Sequence, residues 1–387
     1  MGNQKSIVVL GAGMVGAVMA EDLARESSFR VTVADRDGEV LSRLAARASV
    51  KTVIADLADQ AKVRELIGPA DLVIGAVPGY LGFQTLKLVI ESGKNFADIA
   101  FMPEDYLQLD GLAVKKKVTA VVDCGVAPGM SNLILGKHAA EFDSFEEALI
   151  LVGGLPRVRT WPYEYKAPFS PIDVLEEYTR PARYVRDGNI VNMPALTEPE
   201  LVDLPGVGTL EAFNTDGLRS LIDTIRCPNM KEKTLRFPGH IEIMRILRET
   251  GFFSKTPIDV KGHNVAPLDL TTRLLFPKWK LQPGEEEFTV MRVQVTGTHK
   301  GDRIRHTYDL LDRNDPRTGF SSMSRTTGFP NAIMARLILN GSFESHGVFP
   351  PERFGGQPKI FQAIVDGLQE RGVVFSHQEE KLALLPT

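Results

Sequence analysis

The chain has 387 residues, 43% hydrophobic and 24% charged, enough for two or three domains with real cores. Its 45 basic and 49 acidic side chains leave a net charge of −4, which gives no reason to expect nucleic acid or an anionic membrane as partner. Two cysteines, Cys124 and Cys227, exclude a disulfide framework and a zinc–thiolate cluster and fit a reducing cytoplasm, and no apolar run reaches the length of a membrane-spanning helix.

The first residues carry the strongest pattern. An apolar strand over 6–10 runs into Gly11-Ala-Gly13-Met14-Val15-Gly16, a helical stretch follows over 15–25, and a second strand over 30–34 ends on Asp35. This order predicts a dinucleotide-binding turn. Gly11 allows the tight turn, Gly13 lets backbone approach a pyrophosphate, and Gly16 permits close packing of helix on strand. The helix N-terminus offers unpaired N–H groups and a positive dipole end to the phosphates. Asp35, 19 residues beyond Gly16, stands where a carboxylate takes the adenosine ribose hydroxyls. That acid repels a 2′-phosphate and favours NAD. Arg36 beside it can receive such a phosphate or stack on adenine, so NADP stays open. The segment Met1–Ser6 formally fits an N-myristoylation pattern, but Ser6 already opens the first strand.

Further strand-like runs at 50–55, 71–77, 95–99 and 118–123 alternate with helices. Six strands complete a doubly wound parallel sheet, an α/β Rossmann domain over residues 1–130. Asp56 follows the third strand, where a short carboxylate accepts the adenine amino group or simply serves a loop. Ala76-Val77-Pro78 ends the fourth strand at the carboxyl edge, where ligands bind in such sheets. Lys115–Lys117 reads as a solvated helix end. The sixth strand ends on Asp123, followed by a Gly/Pro-rich turn and by Ser131 or Asn132 as cap of the next helix. Asp123 is therefore expected beside a nicotinamide, a structural crossover being the alternative.

From about residue 146 the texture changes. A strand over 147–152 precedes the turn-prone Gly153-Gly154-Leu155-Pro156. Hairpins are expected around Asp187-Gly188 and across 299–302, and helices over 131–142, 241–250 and 331–339. This predicts a second α/β domain over 131–330 with a mainly antiparallel sheet, for substrate binding and oligomerisation. Residues 331–387 are expected to return to the Rossmann domain, with a helix over 357–371 and a strand at 373–375. The seven histidines are scattered, His299 and His306 fall in a hairpin, and no metal spacing appears.

Several motifs in order share a resemblance. The Gly11–Gly16 turn, Asp123-Cys-Gly-Val-Ala-Pro-Gly129, Gly153-Gly-Leu-Pro156 and Thr234-Leu-Arg-Phe-Pro-Gly239 together resemble the saccharopine dehydrogenase (glutamate-forming) superfamily. Within it, Tyr165-Lys166, Phe169-Ser170 and Glu177-Tyr-Thr-Arg-Pro-Ala182 are most similar to the L-lysine 6-dehydrogenases. The resemblance implies NAD-dependent oxidation at the ε-amine of lysine. Hydrolysis of the imine then leaves a semialdehyde that cyclises to Δ1-piperideine-6-carboxylate. Such a site grips an α-carboxylate and an α-ammonium and receives the ε-amine neutral.

Arg236, on a strand with Thr234, is the candidate carboxylate clamp, a structural ion pair being the alternative. Asp216 can hold an ammonium or make an Asx turn. Tyr165, Lys166, Glu177, Tyr178 and His240 are candidates to line the pocket. Asp123 ranks first as proton acceptor for its expected position, and His240 second for its ordinary pKa. A saccharopine reductase-type secondary-amine dehydrogenase using NAD(P) is the rival enzyme, and a non-catalytic NAD-binding regulator the rival of another class. Partners are expected to be a small amino acid and further copies of the chain, as a homodimer or higher homo-oligomer, in the cytoplasm.

Overall fold

The computed structural model describes residues 4–282 and 284–383, so Met1–Asn3 of the lipidation pattern lie outside the described residues. The chain forms two compact units. The first holds the residues up to Glu141 with 223–225 and Ser324–Val374; the second holds Phe142–Ile222, Arg226–Met323 and the residues from Phe375 on.

The first unit is built on seven parallel strands in the spatial order Gly347–Phe349, Thr119–Val121, Asn95–Asp98, Leu72–Gly75, Lys5–Leu10, Phe29–Asp35 and Lys51–Ile54. Ile7, Val9, Leu10, Val73, Ile74 and Phe96 are fully buried, because helices cover both faces of a parallel sheet. The strand order reverses beside Lys5–Leu10, so its carboxyl end is the topological switch point of the sheet. There Gly11 N–H donates to Ala34 C=O and Ala76 N–H to Leu10 C=O, both at 2.9 Å, which fixes the two loops side by side.

Three features of this unit differ from the sequence expectation. The seventh strand, Gly347–Phe349, was not expected: three residues before Pro350-Pro351 are too short for a periodic signal. The helix expected from Asn331 runs over Ser322–Leu339, with Pro330 inside it rather than at its start. The terminal segment also divides. Residues to Val374 lie in the first unit, whereas Phe375–Leu382 forms an edge strand pairing with Asp302–Arg313 in the second. That strand is exposed along most of its length, so backbone pairing holds it and no apolar alternation marks it.

The second unit has a mixed sheet in the order Glu200–Leu204, Gly208–Asn214, Asn229–Arg236, Ser144–Pro156, Glu287–His299, Asp302–Arg313, Phe375–Leu382. Its pairings are antiparallel except that Asn229–Arg236 runs parallel to Ser144–Pro156. Gly153 and Gly154 do not turn the chain; they lie inside that long strand. A Cβ at Gly153 would collide with the Leu235 carbonyl, and one at Gly154 with Met323 and Pro168, so these glycines serve close approach. Both expected hairpins form with two-residue turns, Asp187-Gly188 and Lys300-Gly301, each pair at positive φ.

Helices Pro171–Thr179, His240–Thr250 and Pro267–Trp279 supply a core of Leu175, Tyr178, Ile241, Met244, Leu275 and Trp279 around Phe213. A separate core collects Leu151, Leu155, Leu210, Leu235 and Val290. Strand alternation along Asn229–Arg236 therefore sends Leu235 into one core and puts Glu232, Thr234 and Arg236 on the opposite face.

Candidate active site

In the first unit the glycine turn has the shape a dinucleotide needs. Gly11 sits at φ +109°, and a Cβ there would collide with the Ala76 carbonyl; one at Gly16 would collide with the Gly11 carbonyl. A Cβ added at Gly13 would meet nothing within 4 Å, so open space lies over its Cα. The helix Met14–Ala24 starts here, and its first backbone bond runs from Ala17 N–H to Gly13 C=O. The amides ahead of that bond have no acceptor within the helix, and Met14 is exposed and Val15 half-buried. A pyrophosphate fits this cradle.

Asp35 is half-buried; one oxygen accepts from Ala12 N–H at 2.7 Å and the other from Asp37 N–H at 2.9 Å. These bonds hold the carboxylate at the end of its strand with lone pairs left for ribose hydroxyls. Arg36 is exposed. Asp56 is exposed too, and its Oδ1 accepts Ala58 N–H at 3.0 Å in an Asx turn. Val77 is buried between half-buried Ala76 and Pro78, and Pro78 precedes the helix Gly79–Glu91.

Asp123 is 2% exposed, lies just past Thr119–Val121 at φ 50°, and accepts a hydrogen bond from the Tyr106 hydroxyl at 2.7 Å. Tyr106, in the 3-10 turn Tyr106–Leu109, escapes a reading of the sequence because nothing in its neighbourhood marks it as a partner of Asp123. Burial and the adjacent Asp123 and Asp98 push the Cys124 thiol far up, so it stays protonated and inert. Neither Ser131 nor Asn132 caps from outside the helix: Met130–Glu141 already contains both. Asn132 instead accepts from Gly129 N–H and donates to Glu352 at 3.0 Å.

The second unit brings Arg236, Glu177, Tyr178, Tyr165 and His240 together. Arg236 is only 2% exposed. Its Nε donates to the Tyr178 hydroxyl at 3.0 Å, Nη1 to Leu235 C=O at 2.9 Å, and Nη2 to the Glu177 carboxylate. Its guanidinium carbon lies 4.4 Å from the Tyr165 ring centroid and 5.6 Å from that of Tyr178. Burial works against its charge, but Tyr165, Tyr178 and Glu177 more than offset this, and the guanidinium stays protonated. Burial raises the Glu177 carboxyl even with Arg236 pulling the other way.

His240 makes 3.0 Å with the Tyr178 hydroxyl through Nε2 and 2.8 Å with Tyr163 C=O through Nδ1. A carbonyl only accepts, so Nδ1 carries the hydrogen and Nε2 accepts from Tyr178. Burial, then Arg236, hold its pKa down to about 3. His240 is therefore a neutral support for Tyr178, with no nitrogen left to take a substrate proton, which corrects its second ranking as acceptor.

Two other expectations meet a physical obstacle. Both oxygens of buried Asp216 receive the Arg183 guanidinium, Nε at 2.8 Å and Nη2 at 3.2 Å, so its charge is already answered. Lys166 is tied to Glu285 at 3.3 Å and to Lys280 C=O at 3.4 Å. Thr234 shares its hydroxyl with Thr215 at 2.9 Å, and Thr215 donates to Glu232 at 2.5 Å. Glu232 also accepts Gly217 N–H, and burial lifts its carboxyl to about 8. Among the described residues no group of histidine, cysteine, aspartate and glutamate could hold a metal, and no helix is long and apolar enough to cross a membrane.

The family model for the saccharopine dehydrogenase C-terminal domain matches residues 125–373, and that for the saccharopine dehydrogenase NADP binding domain matches residues 7–121. The chain belongs to the saccharopine dehydrogenase family. It is 22% identical, over 98% of its length, to the alpha-aminoadipic semialdehyde synthase of Mus musculus, of which the match covers 48%. The chain thus spans about half the length of that relative. It is likewise 22% identical to the NADP(+)-dependent, L-glutamate-forming saccharopine dehydrogenase of Pyricularia oryzae, over 95% of this chain and 97% of that protein. The apo saccharopine dehydrogenase (L-Glu forming) of Saccharomyces cerevisiae has the same fold, with a TM-score of 0.79 at 20% identity over 98% of this chain and 100% of that one.

Proposed function

We propose that the chain is an NAD-dependent dehydrogenase that oxidises the ε-amine of L-lysine. The observation that carries this reading is the desolvated Arg236–Glu177 pair in its frame of aromatic rings, a charged grip on the second unit for an amino-acid head. The open Gly13 cradle and the anchored Asp35 support a dinucleotide with an unphosphorylated ribose. Bound NAD would supply the hydride acceptor. Asp123, oriented by Tyr106, takes the proton that the ε-ammonium must lose before its carbon can give up hydride. Water then releases ammonia from the oxidised carbon, and the semialdehyde closes on its own α-amine.

The names of the relatives support a second reading, a saccharopine-type secondary-amine dehydrogenase. Absorbance at 340 nm with NAD or NADP against lysine, saccharopine and ornithine decides between them. NADH formed with lysine alone is the expected result. Turnover of saccharopine and not of lysine moves the chain to the second reading, and silence with tight NAD binding sinks both.

A further inference from the structure

We infer that Glu177 and Arg236 form one grip for the zwitterionic head of an α-amino acid, with Glu177, not Asp216, taking the α-ammonium. The inference rests on the amino-acid reading above. Asp216 has both oxygens engaged by Arg183. Glu177 differs: Oε2 meets Arg236, Oε1 carries no hydrogen bond among the described residues, and the side chain is 19% exposed. Glu177 is therefore the more exposed member of the pair, with one carboxylate oxygen still to be answered.

Arg236 is likewise part-used. Three of its five N–H groups are engaged, by Tyr178, Leu235 and Glu177, which leaves one on each terminal nitrogen. Beside it the Tyr165 hydroxyl is buried, in a residue 3% exposed, and has no hydrogen-bond partner among the described residues. Buried polar atoms are nearly always paired, so an orphan hydroxyl on the ring over which a part-used guanidinium lies marks a place for an incoming acceptor. A carboxylate supplies that acceptor.

Charge selects the rest of the ligand. The Arg236–Glu177 pair is net neutral and dipolar. A zwitterionic head answers both poles, whereas a bare carboxylate is repelled by Glu177 and a bare amine by Arg236. The grip therefore selects α-amino acids with a free α-amine and rejects mono-acids and monoamines.

Calorimetric binding to the full chain, saturated with NADH, tests this without turnover. The probes are L-norleucine, which keeps the whole head, 2-hydroxyhexanoate, which lacks the ammonium, and pentylamine, which lacks the carboxylate. Norleucine is expected to bind at least about tenfold tighter than either. Glu177→Gln should erase the advantage over 2-hydroxyhexanoate and leave 2-hydroxyhexanoate itself as tight or tighter. Arg236→Lys should weaken both acids alike, and Tyr165→Phe should weaken both a few-fold. Should Glu177→Gln fail to fold, Glu177→Asp keeps the charge and should keep the preference at reduced affinity.

A wild-type protein indifferent to the α-ammonium, an unchanged preference in Glu177→Gln, or a lost preference in Glu177→Asp overturns the grip. Norleucine binding as expected with no NADH from lysine leaves the grip standing and removes the lysine reading. Lysine turnover with an unchanged preference in Glu177→Gln does the reverse.

Discussion

The glycine turn of the first unit and the polar cluster of the second are built by opposite means. The turn works by what is missing: Gly11 and Gly16 leave no side chain where backbone must touch backbone, and Gly13 leaves open space over its Cα. The cluster works by pairing: Arg236, Tyr178 and His240 are buried, and Glu177 half-buried, because each answers another's hydrogen bond or charge. A turn made by omission is local and survives as a spacing of residues. A cluster made by pairing draws on residues 165, 177, 178, 236, 240 and 279, and its logic exists only after folding.

The contrast is sharpest where one partner is removed. Arg236→Met leaves the half-buried Glu177 carboxylate without its partner and should cost about 3–5 kcal/mol, read by urea unfolding. A cost under about 1 kcal/mol would mean that the pair is not desolvated as the geometry requires.

Omission gives a different signature. Gly16→Ala drives a methyl into the Gly11 carbonyl and should cost roughly 1–3 kcal/mol along with NAD affinity. Gly13→Ala meets nothing within 4 Å, so the free protein should melt as wild type while NAD binding weakens at least about tenfold. Equal melting losses for the two variants would break the distinction between a packing glycine and a ligand-facing one.

The pairing region also has a pH signature. Glu232, held up to about 8 by burial, and Glu287, held up to about 7 by burial, are protonated in the folded chain near neutrality but ionised when unfolded. Their contribution is complete below the ordinary glutamate value of 4.5 and is lost as pH rises through 7 to 8. His240 slopes the other way: neutral when folded, it contributes above 6.5 and loses that contribution as pH falls towards about 3. Melting curves should therefore decline from about pH 5 to about pH 8.5, and Glu232→Gln should remove part of that decline and gain stability only at the alkaline end. A flat wild-type profile would count against a protonated Glu232.

The smallest effect belongs to the partly exposed pair. Asp216→Asn removes the partner of an Arg183 side chain that is 40% exposed, and about 1 kcal/mol is expected, with amino-acid binding kept. A loss of amino-acid binding at unchanged stability would return Asp216 to the site.

How much can be read in advance follows the same division. Alternating apolar runs announce the parallel sheet, and Asp187-Gly188 and Lys300-Gly301 announce two hairpins, because turn chemistry and strand period are nearest-neighbour properties. Gly153-Gly154 misleads for the same reason. A glycine pair looks like a turn until the Leu235 carbonyl and Met323 are seen beside it. Arg236, Glu177, Tyr178, Tyr165 and His240 can be nominated from motifs, but not which of them pair with which, nor Tyr106 and Arg183 as partners. Tyr106 on Asp123, Glu177 on Arg236 and Arg183 on Asp216 join residues 17, 59 and 33 positions apart.

By itself the sequence determined the strand–turn–helix that cradles a dinucleotide, the acid that ends the second strand, and the presence of a second, hairpin-rich sheet. Each depends on backbone geometry within a few residues. Only the tertiary structure decided which charges are already answered and which are not. It gave Asp216 to Arg183, made His240 a neutral prop for Tyr178, and left Glu177 and Tyr165 beside a buried guanidinium. The reason is physical: the free energy of a buried charge is set by its nearest partners in space, and strand pairing and helix docking choose those partners.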